Sequence, residues 1–372
     1  MTGRAPLVVV GNPDNRRVTL FRTAAAEAGV PTTVLPWRRL VAAPVRLPRQ
    51  AMVRIDSPGE DAEVDRLLRG AGRPAEHGEI IGLAPWYAGL RAALDRLDEA
   101  AHAAGATLLN PPSDVLGMFD KRTCHARLTA AGVPVPPALP RPGGLGDYGE
   151  LRAAMRAAGW HRVFVKPAHG SSASGVLALQ VAPGRIRATT SVELAADGRL
   201  FNSLRVRDYT GEREVATIVD RLAPDGLHVE RWFPKAGLDD ATIDLRVLVV
   251  AGRPEHVVVR SSPGPLTNLH LGNARGDLGA VRTAMGERAY AAALHSCVRA
   301  AACFSTSLHV GVDLLVGTDW RRHAVAEVNA FGDLLPGVFD PAGRDSYAAE
   351  LHALRSGRFD RWRAGTSAGR AA

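Results

Sequence analysis

Residues 7–11 read Leu-Val-Val-Val-Gly, and this unbroken apolar run constrains the fold more than any other feature. A strand that is apolar at every position is buried on both faces, as in a parallel sheet covered by helices. The following segments agree. Residues 17–29 (RVTLFRTAAAEAG) carry a helical apolar spacing and close on a glycine, and TTVLPW at 32–37 is extended again. Strand, helix and strand in succession predict a βαβ start and a parallel sheet. AMVRIDSPGED adds a strand and a polar loop, the Leu- and Ala-rich run from about Trp86 to Ala104 a long helix, and TLLNPP a short strand stopped by prolines. Residues 1–112 are expected to form one open α/β unit.

A second start follows. DVLGMFDKRTCHARLTAAGVPVPP reads as a helix with a glycine stop and then an extended, proline-bounded segment. RVFVKP and GVLAL are strands on either side of a glycine-rich run, and residues 189–211 form a hairpin turning at Asp197–Gly198. LHVERWF, the hairpin DLRVLVVAGRPEHVVVR, HVGVDLLVG and HAVAEVN are further strands, with one helix at about 283–303 before the last two. The final twenty residues read as helix and frayed tail. Gly144, Gly146 and Gly149 have the GxGxxG spacing, but they follow a proline-rich loop rather than a strand, so they are not a dinucleotide fingerprint.

Composition narrows the class. The 372 residues are 46% hydrophobic and 23% charged, a globular mixture. No apolar stretch reaches the length needed to cross a bilayer, and a cytoplasmic protein is expected. Cys124, Cys297 and Cys303 are odd in number and lack a CxxC pair, which argues against a disulfide framework and against zinc. The net charge of +8 suits nucleic acid or small anionic substrates. The arginines are scattered, with few aromatics among them, so nucleic acid is the less favoured partner. Of the 46 basic residues only Lys121, Lys166 and Lys235 are lysine. Their survival is either chance or a use for compact ammonium groups, such as phosphate binding.

Several strands carry polar residues that an apolar run does not need. In AVAEVNAFGD, Glu327 and Asn329 lie two apart and share a face. Asp313 interrupts VGVDLLVG, where a charge is costly unless paired or metal-bound. If these strands are neighbours, Asp313, Glu327 and Asn329 form one oxygen-rich patch suited to magnesium. Asp244 and Arg246 share a face of IDLRVLVV, and an ion pair on the sheet is the favoured role for Asp244. Arg260 ends the partner strand, and TNLHLGN supplies Thr267, Asn268, His270 and Asn273. Gly170, Ser171, Ser172, Ala173, Ser174 and Gly175 could close on an oxyanion or form a plain turn. In the first unit the loops 11–17 and 54–61 follow strands, where open α/β sheets gather ligands. Arg16, Arg54 and Asp56 either contact substrate there or serve as caps and turns.

Taken in order, FDKRTCHARLTAAGVPVPP, VFVKPAHGSSASGV, HVERWFPKAG, IDLRVLVVAGR, RSSPGPLTNLHLGN, GVDLL and AEVN resemble the ATP-grasp superfamily. The nearest branch is that of the ribosomal protein S6 glutamylase and glutathione synthetase. The resemblance covers about residues 113–340. It implies an α/β (α+β) ATP-grasp fold with an N-terminal Rossmann-like pre-ATP-grasp domain at 1–112. The ATP-grasp domain would span 113–350, with a nucleotide-lid part at 113–228 and a metal and substrate part at 229–350, followed by a C-terminal helix and tail at 351–372.

The resemblance also implies roles. Lys121 and Lys166 would contact the phosphates of ATP beneath a lid formed by Gly170, Ser171, Ser172, Ser174 and Gly175. Glu230, Arg231, Trp232 and Phe233 would form the adenine hinge, with Lys235 close by. Arg246 would hold the γ-phosphate, and Arg260 and Asn268 would stabilise an acyl-phosphate or tetrahedral intermediate. Asp313, Glu327 and Asn329 would bind Mg2+, two ions in all, with Mn2+ as a substitute. His270 and Asn273 join Arg16, Arg54 and Asp56 as substrate contacts. Leu271 stands where relatives in this branch often carry arginine, which leaves the substrate open. The implied activity is ATP-dependent ligation of a carboxylate to an amine on an amino acid, peptide or related metabolite, in an enzyme that is often a homo-oligomer. A hydroxyl phosphotransferase and a weakly catalytic nucleotide-binding protein are the alternatives.

Overall fold

Three sheets, each with its own helices, build the chain; the computed structural model describes residues 5–139, 144–171, 173–331, 335 and 337–370. The first part runs β1 (Leu7–Gly11), α1 (Arg16–Glu27), β2 (Thr32–Pro36), α2 (Trp37–Ala42), β3 (Met52–Ile55), α3 (Ala62–Arg69), α4 (Leu83–Ala104) and β4 (Thr107–Leu108). Its strands are parallel in the order β2-β1-β3-β4. The two-residue period of β1 explains its composition. Val8 and Val10 enter the core under α2, α3 and α4, while Leu7 and Val9 pack with Val18 and Phe21 of α1. Because β1 lies between β2 and β3, the loops after β1 and β3 open side by side at the carboxyl edge, at a topological switch point.

The next segment departs from the sequence reading. The single helix expected there is two, α5 (Pro112–Phe119) and α6 (Lys121–Ala130). Asp120 between them is extended, with φ −83° and ψ 107°, and its side chain accepts the backbone N–H groups of Arg122 and Thr123. A capping aspartate thus starts a new helix where the apolar spacing alone runs straight through. Lys121 becomes the first residue of α6.

The second sheet comes from α7 (Tyr148–Ala157), β5 (Arg162–Pro167), β6 (Leu177–Ala182), β7 (Arg185–Leu194), β8 (Leu200–Tyr209), α8 (Glu212–Leu222) and β9 (Leu227–Arg231). It is antiparallel, in the order β8-β7-β6-β5-β9. The expected hairpin is β7–β8, which turns with Gly198 at φ 80° and forms the sheet edge. Helix α8 has no counterpart in the sequence reading. Its Val215, Ile218, Val219 and Leu222 join Leu151 and Met155 of α7 against Val163 and Val165 of β5.

The third sheet comes from β10 (Gly237–Leu238), β11 (Ala241–Val250), β12 (Arg253–Ser262), β13 (Ala274–Arg275), α9 (Leu278–Ala302), β14 (His309–Val316) and β15 (His323–Asn329). Its order is β13-β12-β11-β14-β15, with β10 beside β11. Helix α9 begins earlier than expected, at Leu278, and breaks at Gly286 (φ 72°, ψ 153°). It covers one face, packing on Val247, Val312 and Val328. The chain ends in α10 (Ser346–Arg355) and α11 (Arg358–Arg370). Helix α10 returns to α1, with Tyr347 meeting Phe21 edge to face at 5.8 Å. Among the described residues no helix is long and apolar enough to cross a membrane.

Candidate active site

Strand alternation decides which side chains meet between the second and third sheets. On β5, Val163 and Val165 point to the helices, so Phe164 and Lys166 point the other way. On β11, Ile243, Leu245 and Val247 enter the core under α9, which leaves Asp244 and Arg246 opposite. The same alternation turns Arg260 of β12, Asp313 of β14 and Glu327 of β15 to that side. A cavity of about 360 Å³ lies between these two faces.

Cross-strand pairing orders the charges on the third sheet. Asp244 stands opposite Arg260, Arg246 opposite Asp313, and Asp313 opposite Glu327. Arg260 Nε donates to Asp244 at 2.6 Å and its Nη1 lies 3.2 Å from Asp313. Arg246 pairs with Asp313 through Nε. Lys235 Nζ donates to the Pro265 carbonyl at 2.9 Å and to Thr267 at 3.0 Å, with Asp244 at 3.5 Å. Burial opposes the charge on Asp244, but Arg260 and Lys235 outweigh it and hold its carboxyl at about 2. Burial lowers Lys235 in turn, against the pull of Asp244.

The second sheet supplies the facing cations. Lys166 Nζ donates to Glu230 at 2.7 Å, and His228, two residues along β9, lies 2.8 Å from the other Glu230 oxygen. Burial works against ionisation of Glu230, yet Lys166 and His228 bring it to about 2. Burial alone would depress Lys166, but Glu230 and then Glu327 raise it above its ordinary value. Lys121 bridges the two walls: its Nζ donates to the Gly170 carbonyl at 2.7 Å and lies 2.9 Å from Glu327. Its position is set from behind. Asp120 meets His169 at 3.0 Å, His169 stacks on Tyr87 with ring centres 3.9 Å apart, and the Lys121 N–H donates to the Ala168 carbonyl at 3.0 Å.

The acidic patch fits a hard divalent cation. Asp313 and Glu327 face one another across β14 and β15, and Asn329 opposes Gly311 on the same pair. Asn329 Nδ2 is buried with no hydrogen-bond partner among the described residues, and a carboxamide also carries an oxygen able to ligate a cation beside the two carboxylates. Burial and the neighbouring carboxylates Glu327 and Asp244 push Asp313 above its ordinary value despite Arg246 and Arg260. Burial opposes ionisation of Glu327 too, but Lys121 and Lys166 bring it below. Among the described residues no group of three His, Cys, Asp or Glu side chains gathers as a metal cluster. Two carboxylates and one carboxamide are the oxygen donors that such an ion would meet here.

Most of the expected site residues reach this cavity. Lys121, Lys166, Gly170, Ser171, Ser174, Glu230, Arg231, Phe233, Lys235, Arg246, Arg260, Asn268, Asp313, Glu327 and Asn329 line it. Others lie elsewhere. Trp232 packs against Phe164 from a second, shallower cavity, which Asn273 also lines while its amide bonds the Leu266 and Asn268 carbonyls. Gly175 is off the wall, at φ +73° against the Pro167 ring. Arg16 is exposed on α1, and its neighbour Arg17 lines the cavity instead. Arg54 and Asp56 are not substrate contacts in this arrangement. Arg54 pairs in the core with Asp56 and with Glu350 of α10, both at 2.8 Å, because a buried guanidinium requires carboxylate partners. Ser172 and the His270 side chain lie outside the described residues. Sequence patterns do not single out Asp120, Tyr87, His169 and His228. Only Asp120 had a legible signal, an acidic residue directly before a helix.

No protein-family model matches the chain, and no curated protein matches it by sequence. Its fold does have solved counterparts. D-cycloserine synthetase DcsG superposes with a TM-score of 0.57 at 18% identity, over 96% of this chain and all of that one. The ATP-grasp ligase PsnB, solved with a minimal precursor, Mg and ADP, gives 0.55 at 17% identity, over 95% and 97%. D-alanine–D-alanine ligase from Bacillus anthracis, solved with ATP, gives 0.52 at 11% identity, over 98% and 99%. The chain has the ATP-grasp fold, as its motifs led us to expect.

Proposed function

We propose that this ATP-grasp chain is an ATP-dependent carboxylate–amine ligase that releases ADP and phosphate. The observation that carries the reading is the meeting of Lys121, Lys166, Arg246 and Arg260 with Asp313 and Glu327 in one cavity between two sheets. Cations of this number suit a polyphosphate and a developing acyl-phosphate, and the described residues of the cavity wall form no nucleophile–base triad.

Lys121 and Lys166 bind phosphate oxygens, and Lys121 ties the Gly170 loop over them. Phe164, Arg231 and Phe233 bound the base of the nucleotide. A substrate carboxylate oxygen attacks the γ-phosphorus, the bond to ADP breaks, and an acyl-phosphate forms. The amine nitrogen then attacks the acyl carbon, phosphate departs, and the amine loses a proton. Arg246 and Arg260 carry the negative charge that builds on the transferred group, and Asn268 faces the acyl oxygen. Asp313, Glu327 and Asn329 would hold Mg2+, which when bound neutralises phosphate charge. The reading is in keeping with its neighbours in fold, of which PsnB is an ATP-grasp ligase solved with a minimal precursor, Mg and ADP, and DcsG is a D-cycloserine synthetase.

The test is ADP release with Mg-ATP and paired carboxylates and amines, followed by mass spectrometry of the product. A ligase needs both partners before ADP accumulates. R260A should lower kcat by roughly 100- to 1,000-fold, the size seen when one charge-stabilising donor is removed. A phosphorylated hydroxyl in place of an amide would contradict the reading.

A further inference from the structure

The switch-point crevice of the first sheet opens into the same cavity and places Arg17 on its wall. Asn15 and Arg17 from the start of α1 and Ser57, Gly59 and Glu60 from the loop after β3 line this part of the wall. Glu60 already accepts from Asn15 Nδ2 at 2.8 Å. Arg17 is different. Lys121, Lys166, Lys235, Arg246 and Arg260 each have a carboxylate within 3.5 Å. Arg17 forms no ion pair and no side-chain hydrogen bond among the described residues, and its charge reaches the uncharged phenol of Tyr347. The other lining cation without an ion pair among them, Arg231, is exposed. A half-buried guanidinium on a cavity wall presents a planar set of donors that matches a carboxylate.

The cavity also has an apolar surface suited to the rest of such a ligand. Trp86 stacks on Phe119 with centres 5.2 Å apart, and Phe119 meets Phe331 edge-on at 6.3 Å. All three line the cavity. A donor carboxylate is consumed in the reaction and must meet the Arg246–Arg260 row, so an anion held by Arg17 belongs to a group that survives. An α-amino acid used as the amine has such a group, and its nitrogen stays free to attack. Within a peptide that carboxylate is an uncharged amide, which offers Arg17 a neutral acceptor in place of an anion.

We propose that the amine acceptor is a free α-amino acid with a large apolar side chain, its carboxylate on Arg17 and its side chain against Trp86, Phe119 and Phe331. The inference rests on the ligase reading above. The experiment is calorimetric binding of phenylalanine and leucine, both enantiomers, to the protein loaded with Mg2+ and a non-hydrolysable ATP analogue. Phenethylamine and 3-methylbutylamine, which lack the carboxylate, are the controls. The amino acids should bind at least ~10-fold more tightly than the amines, as expected for a charge-assisted hydrogen bond. R17A should bring amino-acid affinity down to that of the amines and leave the ATP analogue's affinity unchanged, and R17K should restore part of it. Equal binding of amines and amino acids, no binding of any amino acid tested, or an unaltered R17A would overturn the inference. An amide made equally well from the simple amines would overturn it while leaving the ligase reading intact. ATP binding with no amide from any pair would overturn the ligase reading, and this inference with it.

Discussion

At the scale of residues, the site is held together by ion pairs whose partners are not interchangeable. Lys166 and Glu230 are both buried, so removing one leaves the other without its nearest charge partner. E230Q is expected to cost about 3–5 kcal/mol of stability, read as a shift in the denaturant midpoint at neutral pH. The pair also sets a pH dependence. The Glu230 carboxyl is brought down from 4.5 to about 2 in the folded chain. Its folded value is depressed, so its stabilisation is full above about 4.5 and is lost as the pH falls through that value toward 2. Midpoints at pH 7 and pH 3 should therefore differ less for E230Q than for the wild type. An equal or larger difference in E230Q would contradict the assignment.

At the scale of elements, small residues fix how closely helices approach. Gly89 of α4 sits against the backbone of Leu68 in α3, and a Cβ there would overlap the Leu68 carbonyl oxygen. G89A must push the helices apart and should cost about 1–3 kcal/mol or more, whereas G72A in an open loop should be near neutral. Urea unfolding of both variants checks this. Gly89 illustrates what the sequence leaves hidden, since its role depends on a partner helix. Period-2 and period-3.6 patterns made β1, β11, β14, β15 and α4 legible, because burial writes those patterns directly. The break at Asp120 and helix α8 were lost for opposite reasons. In the first a cap is overridden by a continuous apolar spacing. In the second a short amphipathic helix lies between strand signals. Asp313, Glu327 and Asn329 could be grouped from alternation once their strands were taken as neighbours. Arg17 could not be told from Arg16, because the choice between adjacent helical residues depends on where the crevice opens. Arg54 and Asp56 were misplaced because a loop after a strand signals ligands, and their partner Glu350 lies far along the chain.

At the scale of the whole molecule, the cavity is shared among parts that are distant in sequence. The first sheet contributes its switch-point loops, the second a cationic face with the Gly170 loop, and the third a row of alternating charges. Helix α10 closes back on α1, and the Arg54–Glu350 pair buries that junction, so the cavity's walls are fixed relative to one another from outside the site. Such an arrangement matches a two-step reaction that must hold a nucleotide, a carboxylate and an amine together and exclude water between steps. The acyl-phosphate is the central claim, and oxygen labelling tests it most directly. With both carboxylate oxygens of the donor labelled with 18O and Mg-ATP unlabelled, each amide formed should be accompanied by one phosphate carrying a single 18O. Unlabelled phosphate accompanying amide formation would contradict an acyl-phosphate.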